Sequence, residues 1–223
     1  MSDSANGGRE DSRSEALDFA SAAFEIALQE RCHAAQLHID PAHVPKLRTY
    51  YELLSRWNER INLTALPLAG YPSQTIDRLL LEPLEASGAV PANATSWVDL
   101  GSGGGSPAIP LAITRPRLRL TMTESRGRKA AFLREAVRSL GLNAEVIGRF
   151  EELLAYPAGS VDLVTARAVR MQDVAAIATH LLSSSGRLLL FGSVDVVAPR
   201  GLRLVAKTSL PAENAHLFQF GKA

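Results

Sequence analysis

Cysteine is almost missing from this chain. Cys32 is the only one in 223 residues, which excludes an internal disulfide and a cysteine-based metal site. No run approaches eighteen uninterrupted apolar residues, so no membrane-spanning helix is expected. The first fifteen residues are polar, with no apolar core after a basic start, and do not read as a secretory signal. Excess charge is missing too: 24 Lys and Arg face 23 Asp and Glu, for a net of +1. Binding to nucleic acid would therefore have to come from local clustering of charge. Internal repeats and long linkers are absent. What remains is 46% hydrophobic and 21% charged, the balance of an ordinary globular chain with one domain and an appendage. A soluble protein of the reducing cytoplasm is expected.

Three regions follow from the patterning. Residues 1–14 are rich in Gly, Ser, Asp and Arg, lack periodicity and read as a tail. Residues 15–95 read as a helical extension. Leu17, Phe24 and Leu28 recur near helical spacing up to about Gln36, and Asp40-Pro41 is a helix-start signature. Leu47, Tyr50, Leu54, Trp57 and Ile61 mark a second helix over Lys46 to Arg60; Ile76, Leu79, Leu80 and Leu84 mark a third. From Ser96 to the end, short apolar runs alternate with helical stretches. The runs are 97–100, 118–123, 144–147, 161–165 and 188–191, and the clearest helix is 129–140, stopped by Gly141. Alternating strands and helices predict an α/β fold with a mostly parallel sheet. The last two runs, 202–207 and 216–220, predict an antiparallel hairpin on its edge.

The segment Val98-Asp99-Leu100-Gly101-Ser102-Gly103-Gly104-Gly105-Ser106-Pro107 carries the most information. A strand enters a glycine cluster and a helix leaves it. Such a turn needs positive φ and lets a ligand approach bare backbone at Gly101 and Gly103. Ser106 stands where a dinucleotide fingerprint would carry its third glycine. Glu124 ends the next strand, where a carboxylate accepts both hydroxyls of a ribose, in NAD or S-adenosylmethionine alike. The loop spacing favours S-adenosylmethionine, which has no pyrophosphate to seat on a helix N-terminus. A nicotinamide-dependent oxidoreductase is the alternative. Asp99 is a candidate partner for the loop amides or the ligand's amino group, or simply a turn cap. Phe150, Glu151 and Arg167 follow the third and fourth strand patterns, and so fall at the carboxyl end of the sheet beside the loop. Packed core and solvated charge is the competing reading for these three.

Missing chemistry narrows the reaction. Methylation at a pyrimidine C5 needs a cysteine nucleophile, and Cys32 lies far away in the N-terminal helix. Exocyclic amine methylation commonly uses an Asp/Asn-Pro-Pro-Tyr loop after the fourth strand, where this chain has Thr165-Ala166-Arg167-Ala168. Guanine N7 already offers an in-plane lone pair and holds no proton. Attack from it needs alignment more than a general base, so no catalytic base is assigned, and Arg167 is expected to position. Between Arg115 and Arg149, nine basic residues face three acids. Within that cluster Arg126, Arg128, Lys129, Arg134 and Arg138 are candidates for RNA phosphates, unless they are merely the outer face of a surface helix.

Several blocks together carry a resemblance. They are Tyr51 to Thr64 (YELLSRWNERINLT), Asp99 to Ala112 (DLGSGGGSPAIPLA), Glu124-Ser125 with Lys129 to Glu135, and Ala166-Arg167-Ala168. In these the chain resembles the bacterial small-subunit ribosomal RNA methyltransferase G family, also called glucose-inhibited division protein B, from about Lys46 onward. The resemblance implies a Rossmann-like methyltransferase domain with an N-terminal helical extension, acting as a monomer on 16S rRNA in the small ribosomal subunit. It implies methyl transfer from S-adenosyl-L-methionine to N7 of a guanine near the decoding centre, without a metal. By motif, Gly101, Ser106, Phe150, Glu151 and Arg167 would contact the cofactor, with Gly103 in the loop and Glu124 on the ribose. Three departures stand out. Arg78-Leu79-Leu80-Leu81-Glu82-Pro83 replaces the family's Arg-His-Ile-Leu-Asp-Ser, Phe191-Gly192 replaces a Lys-Gly pair, and Ala108 replaces a glycine. The first two leave two alternatives open: a homologue impaired in turnover, or a methyltransferase for another RNA or a small molecule.

Overall fold

Helix starts and stops in the computed structural model follow local chemistry. The structure describes residues 22–194 and 196–223, so the expected tail and Leu17 lie outside the described residues. Helix α1 spans 22–34. Asp40 Oδ1 then accepts the Ala42 amide at 2.9 Å and caps the 3-10 turn Pro41–His43 that feeds α2, Val44–Asn58. Helix α2 buries Leu47, Tyr50, Tyr51, Leu53 and Leu54, one face of a 3.6-residue period. Past its end, Asn58 Oδ1 accepts the amides of Leu63 and Thr64 at 2.9 and 3.0 Å and fixes the following loop.

The third helical segment departs from its simple periodic reading. It begins as α3, Ser73–Ile76, widens into a π-helical turn at Asp77–Leu81, and resumes as α4, Glu82–Ala86. The Glu82 amide bonds the Asp77 carbonyl, five residues back, and Pro83 has no N–H. The carbonyls of Arg78 and Leu79 thereby lose their α-helical donors, and both are taken up by the site described below.

A seven-stranded sheet runs in the order β3-β2-β1-β4-β5-β7-β6. Its strands are β1 Ser96–Leu100, β2 Arg119–Thr123, β3 Ala144–Ile147, β4 Val161–Arg167, β5 Leu182–Gly192, β6 Leu202–Ser209 and β7 His216–Lys222. The first five are parallel, and β7 pairs antiparallel with β5 and β6 as the expected edge hairpin. Strand β5 begins six residues earlier than its apolar run at Leu188. Ser183 to Ser185 have no alternation to reveal a strand, yet the backbone still reaches Val161 through an irregular register. Helices α5 (Ala108–Thr114), α6 (Gly127–Leu140) and α7 (Met171–Leu181) make the crossovers. Gly141, at φ +59, ends α6 in the left-handed conformation.

Successive residues of each strand feed opposite faces. Trp97, Leu163 and Leu189 join a core with Phe24, Leu47, Ile109 and Phe132, while Val98, Val164 and Leu188 join a second with Val174 and Leu181. The first of these cores runs across residue 95, so the N-terminal helices and the sheet are packed together. Strand order reverses between β1 and β4, and in open α/β sheets ligands bind at the carboxyl ends beside such a reversal. No helix among the described residues is long and apolar enough to cross a membrane.

Candidate active site

The loop after β1 is tied down by its own neighbours. Thr123 at the end of β2 holds it twice: its Oγ1 accepts the Gly101 amide and its carbonyl accepts the Ser102 amide, both at 2.9 Å. Gly101, Gly103 and Gly105 all take positive φ. At Gly105 the requirement is steric, since a Cβ there would stand 2.5 Å from Ile109 Cδ1 in the first turn of α5. At Gly103, φ +52, a Cβ would meet only the Gly101 carbonyl at 3.7 Å. The space beside Gly103 is therefore open crevice, which a side chain would enter and a ligand can use.

Glu124 divides that crevice. Its Oε2 accepts the Gly103 amide at 3.1 Å and its Oε1 the Arg126 amide at 2.8 Å, so the carboxylate is locked in place. On one side lies a chamber of about 420 Å³ formed by Gly101, Thr123, Glu124, Ser125, Gly148, Arg149 and Phe150. On the other lies one of about 410 Å³, to which Gly101 to Gly104, Ser106, Glu124, Arg126, Lys129 and Arg167 contribute. Gly101 and Glu124 belong to both. A ligand with an aromatic base, a ribose and a charged chain fits across these two chambers, with the carboxylate at the join. This is the division of parts that S-adenosylmethionine has.

Arg167 closes the wall of the second chamber. Its two terminal nitrogens donate to the Arg78 carbonyl and to Glu82 Oε2, each at 2.6 Å, and its guanidinium lies 4.6 Å from the centre of the Phe191 ring. Glu82 is fully buried and also pairs with Arg78 at 3.0 Å. Burial pulls the Arg167 pKa down to about 10, against the opposing pull of Glu82. Nε of Arg167 is buried without a hydrogen-bond partner. Two of the departures in sequence, Glu82 and Phe191, thus meet at one arginine. The third, Ala108, is fully buried in the first turn of α5.

Asp99 does not reach the crevice. It is buried beneath the loop, where its carboxylate accepts the hydroxyls of Ser102 and Thr165 at 2.5 Å each. The Thr165 hydroxyl in turn accepts the Trp97 indole N–H at 2.8 Å. Of its two sequence readings, bracing the turn is the one the geometry supports. Burial pushes the Asp99 carboxyl up to about 6, against these hydroxyls and the Arg167 charge.

The sequence brought most of the remaining candidates to the right end of the sheet. Ser106 lines the second chamber and donates to the Leu79 carbonyl at 2.9 Å. Phe150 opens the 3-10 helix Phe150–Ala155, with Glu151 next in the chain. The basic cluster divides. Arg126 and Lys129 line the chamber, Arg128 faces α2, and Arg134 leaves by the opposite flank, where it donates to the Val146 carbonyl on β3. Arg138 is exposed in the last turn of α6. Sequence reasoning missed Leu54, Leu63, Thr64, Leu66 and Arg78, which complete the chamber from the N-terminal helices. The Trp57-Asn58 to Asn62-Leu63-Thr64 block was the available signal, because Asn58 holds the Leu63–Thr64 turn against the glycine loop.

Comparison with known proteins agrees with this geometry. The family model described as rRNA small subunit methyltransferase G matches residues 43–194. A protein of that name from Xanthomonas axonopodis pv. citri is 43% identical over 173 residues, 76% of this chain and 75% of its own. Its namesake from Stenotrophomonas maltophilia is 43% identical over 159 residues, covering 70% and 71%. Among solved structures, a SAM-dependent methyltransferase from Aquifex aeolicus superposes with a TM-score of 0.54 at 12% identity, over 68% of this chain and 94% of that one. That last likeness is one of fold.

Proposed function

This chain belongs to the rRNA small subunit methyltransferase G family, and we propose that it transfers a methyl group from S-adenosyl-L-methionine to N7 of a guanine in 16S rRNA. The observation that carries the reading is the Glu124-bridged crevice at the strand-order reversal. The donor supplies an electrophilic methyl carbon on a sulfonium, which departs as a neutral thioether when the N7 lone pair takes the methyl. No proton is removed from N7, so the transfer needs no general base. Its residues bind and align.

Phe150 and Glu151 would hold the adenine end in the first chamber. Glu124 would accept the ribose hydroxyls through the lone pairs that Gly103 and Arg126 leave free. Backbone at Gly101 and Gly103 would let the amino-acid portion lie close, with Ser106 on the far wall. Arg167, paired with Glu82, would set the shape of the chamber where guanine enters. Keeping its charge paired avoids an isolated cation beside a ring that becomes cationic as the methyl arrives. Arg126 and Lys129 at the chamber rim would meet phosphate, and Arg128, beside them in the first turn of α6, would extend that contact. The protein acts as a monomer in the cytoplasm, on the small-subunit RNA. The helices of residues 22–95 would complete the substrate chamber of a methyltransferase domain spanning 96–223.

The mutual accommodation of Glu82, Phe191 and Arg167 argues for an intact site over one impaired in turnover. Expression in a bacterium deleted for its own family member tests the proposal. N7-methylguanine should return in 16S rRNA, detected by strand cleavage after reduction, and should fail to return with Arg167→Ala. An unmodified 16S rRNA alongside purified protein that binds the donor would overturn the substrate assignment.

A further inference from the structure

A further cavity lies outside the donor crevice. It holds about 610 Å³ between the C-terminal end of α2 and the N-terminal half of α6. Trp57 lines it, half-buried, and packs edgewise on Phe132 with ring centres 6.0 Å apart. Phe132 is fully buried, so the indole is fixed from one side while part of it stays open to the cavity. Arg56, Arg60 and Arg128 are exposed around this cavity, and among the described residues none of them forms an ion pair. Glu59 and Glu135 also line it, and neither is paired with those arginines.

We propose that this cavity is a second nucleotide subsite, which captures an unstacked RNA base beside the methylated guanine. It rests on the RNA reading above and adds a place for the flanking nucleotide. Three observations point to this occupant. Single-stranded RNA is held by aromatic side chains on which bases stack, with arginines on the backbone. Trp57 with Arg56, Arg60 and Arg128 supplies that combination at one spot. Carboxylates inside a phosphate pocket would repel its ligand, but Glu59 and Glu135 suit the exocyclic amine of a base. The site also adjoins the donor crevice. In the first turn of α6, Arg128 faces this cavity while Lys129 beside it lines the methyl-transfer chamber. A strand crossing that turn would place one base in each.

Trp57 itself gives the readout. Trp97, the other tryptophan, is 1% exposed and engaged with Thr165, so stacking should quench only Trp57. A single-stranded 16S rRNA fragment containing the target guanine should quench the fluorescence of the wild-type protein but not that of Trp57→Phe. The double variant Arg56→Ala with Arg60→Ala should raise KM for rRNA about tenfold and flatten the salt dependence of binding by about one unit per arginine removed. Its donor affinity by calorimetry and its kcat should keep wild-type values. Equal quenching in Trp57→Phe, unchanged KM in the double variant, or equal quenching by heparin would each overturn the subsite. So would a response only to ribosomal protein. RNA-dependent quenching of Trp57 without any N7 methylation would uphold the subsite and sink the reaction instead.

Discussion

Ser106 and Leu79, 27 residues apart, share a hydrogen bond in which the serine hydroxyl donates to the leucine carbonyl at 2.9 Å. That carbonyl is free because its α-helical donor would be residue 83, a proline. The neighbouring Arg78 carbonyl, freed by the π-helical turn, accepts from Arg167. An irregular helix in the N-terminal half thus anchors two residues that line the second chamber.

Ser106→Ala should leave the Leu79 carbonyl without this donor and cost about 1–3 kcal/mol of stability. Pro83→Ala restores a backbone N–H and should absorb part of that loss. The double variant should therefore be less destabilised than the sum of the single ones, by about 1 kcal/mol in urea unfolding. Strict additivity would show that the two positions are not coupled.

Arg167→Met removes one partner of a fully buried carboxylate. Breaking such a pair costs about 3–5 kcal/mol, and the remaining Arg78–Glu82 contact at 3.0 Å places the expectation at the lower end. Methylation should fall more than stability alone explains. Glu82→Gln should spare more activity than Arg167→Met, because it removes charge and keeps the shape. Thermal unfolding and turnover measured on both variants decide this.

Asp99 makes stability depend on pH in the direction opposite to most carboxylates. Its folded pKa of about 6 lies above the ordinary 3.8. The folded state therefore holds the proton more tightly than the unfolded one, and Asp99's contribution is fully present below the ordinary value. It declines as pH rises from about 4 to about 6. The stability difference between wild type and Asp99→Asn should shrink or reverse across that window, by a few kcal/mol. A difference that is flat with pH would mean that Asp99 is ionised throughout.

Gly103→Asp places a carboxylate in the open space of the crevice, next to Glu124, at a left-handed φ of +52. Donor affinity by calorimetry should fall by more than about tenfold, since both charge and shape oppose binding. Folding should survive with a loss of about 1–2 kcal/mol from the backbone strain. Wild-type affinity would remove Gly103 from the site.

Reversing Arg126 and Lys129 to glutamate should weaken rRNA binding more than reversing Arg134 and Arg138. The first pair lines the second chamber, whereas Arg134 turns toward β3. Filter binding at several salt concentrations separates the two, and equal losses would restore a single basic face along α6.

The sequence by itself determined what depends on near neighbours. A helical period of 3.6 set α2 and α6, short apolar runs set the parallel strands, and glycines at 101, 103 and 105 set a turn of positive φ. The place of Glu124 and Arg167 at strand ends came the same way, from order along the chain. Only the tertiary structure decided that Asp99 is buried under the loop and that Glu82 and Phe191 meet at Arg167. It also split one run of basic residues among three surfaces of a single helix. Those outcomes rest on contacts between groups far apart in the chain, such as Arg167 with the Arg78 carbonyl, 89 positions away, and on carbonyls freed by a proline and a widened turn. A linear pattern records which donors and acceptors exist; which of them pair is settled by the energy of burying each one satisfied.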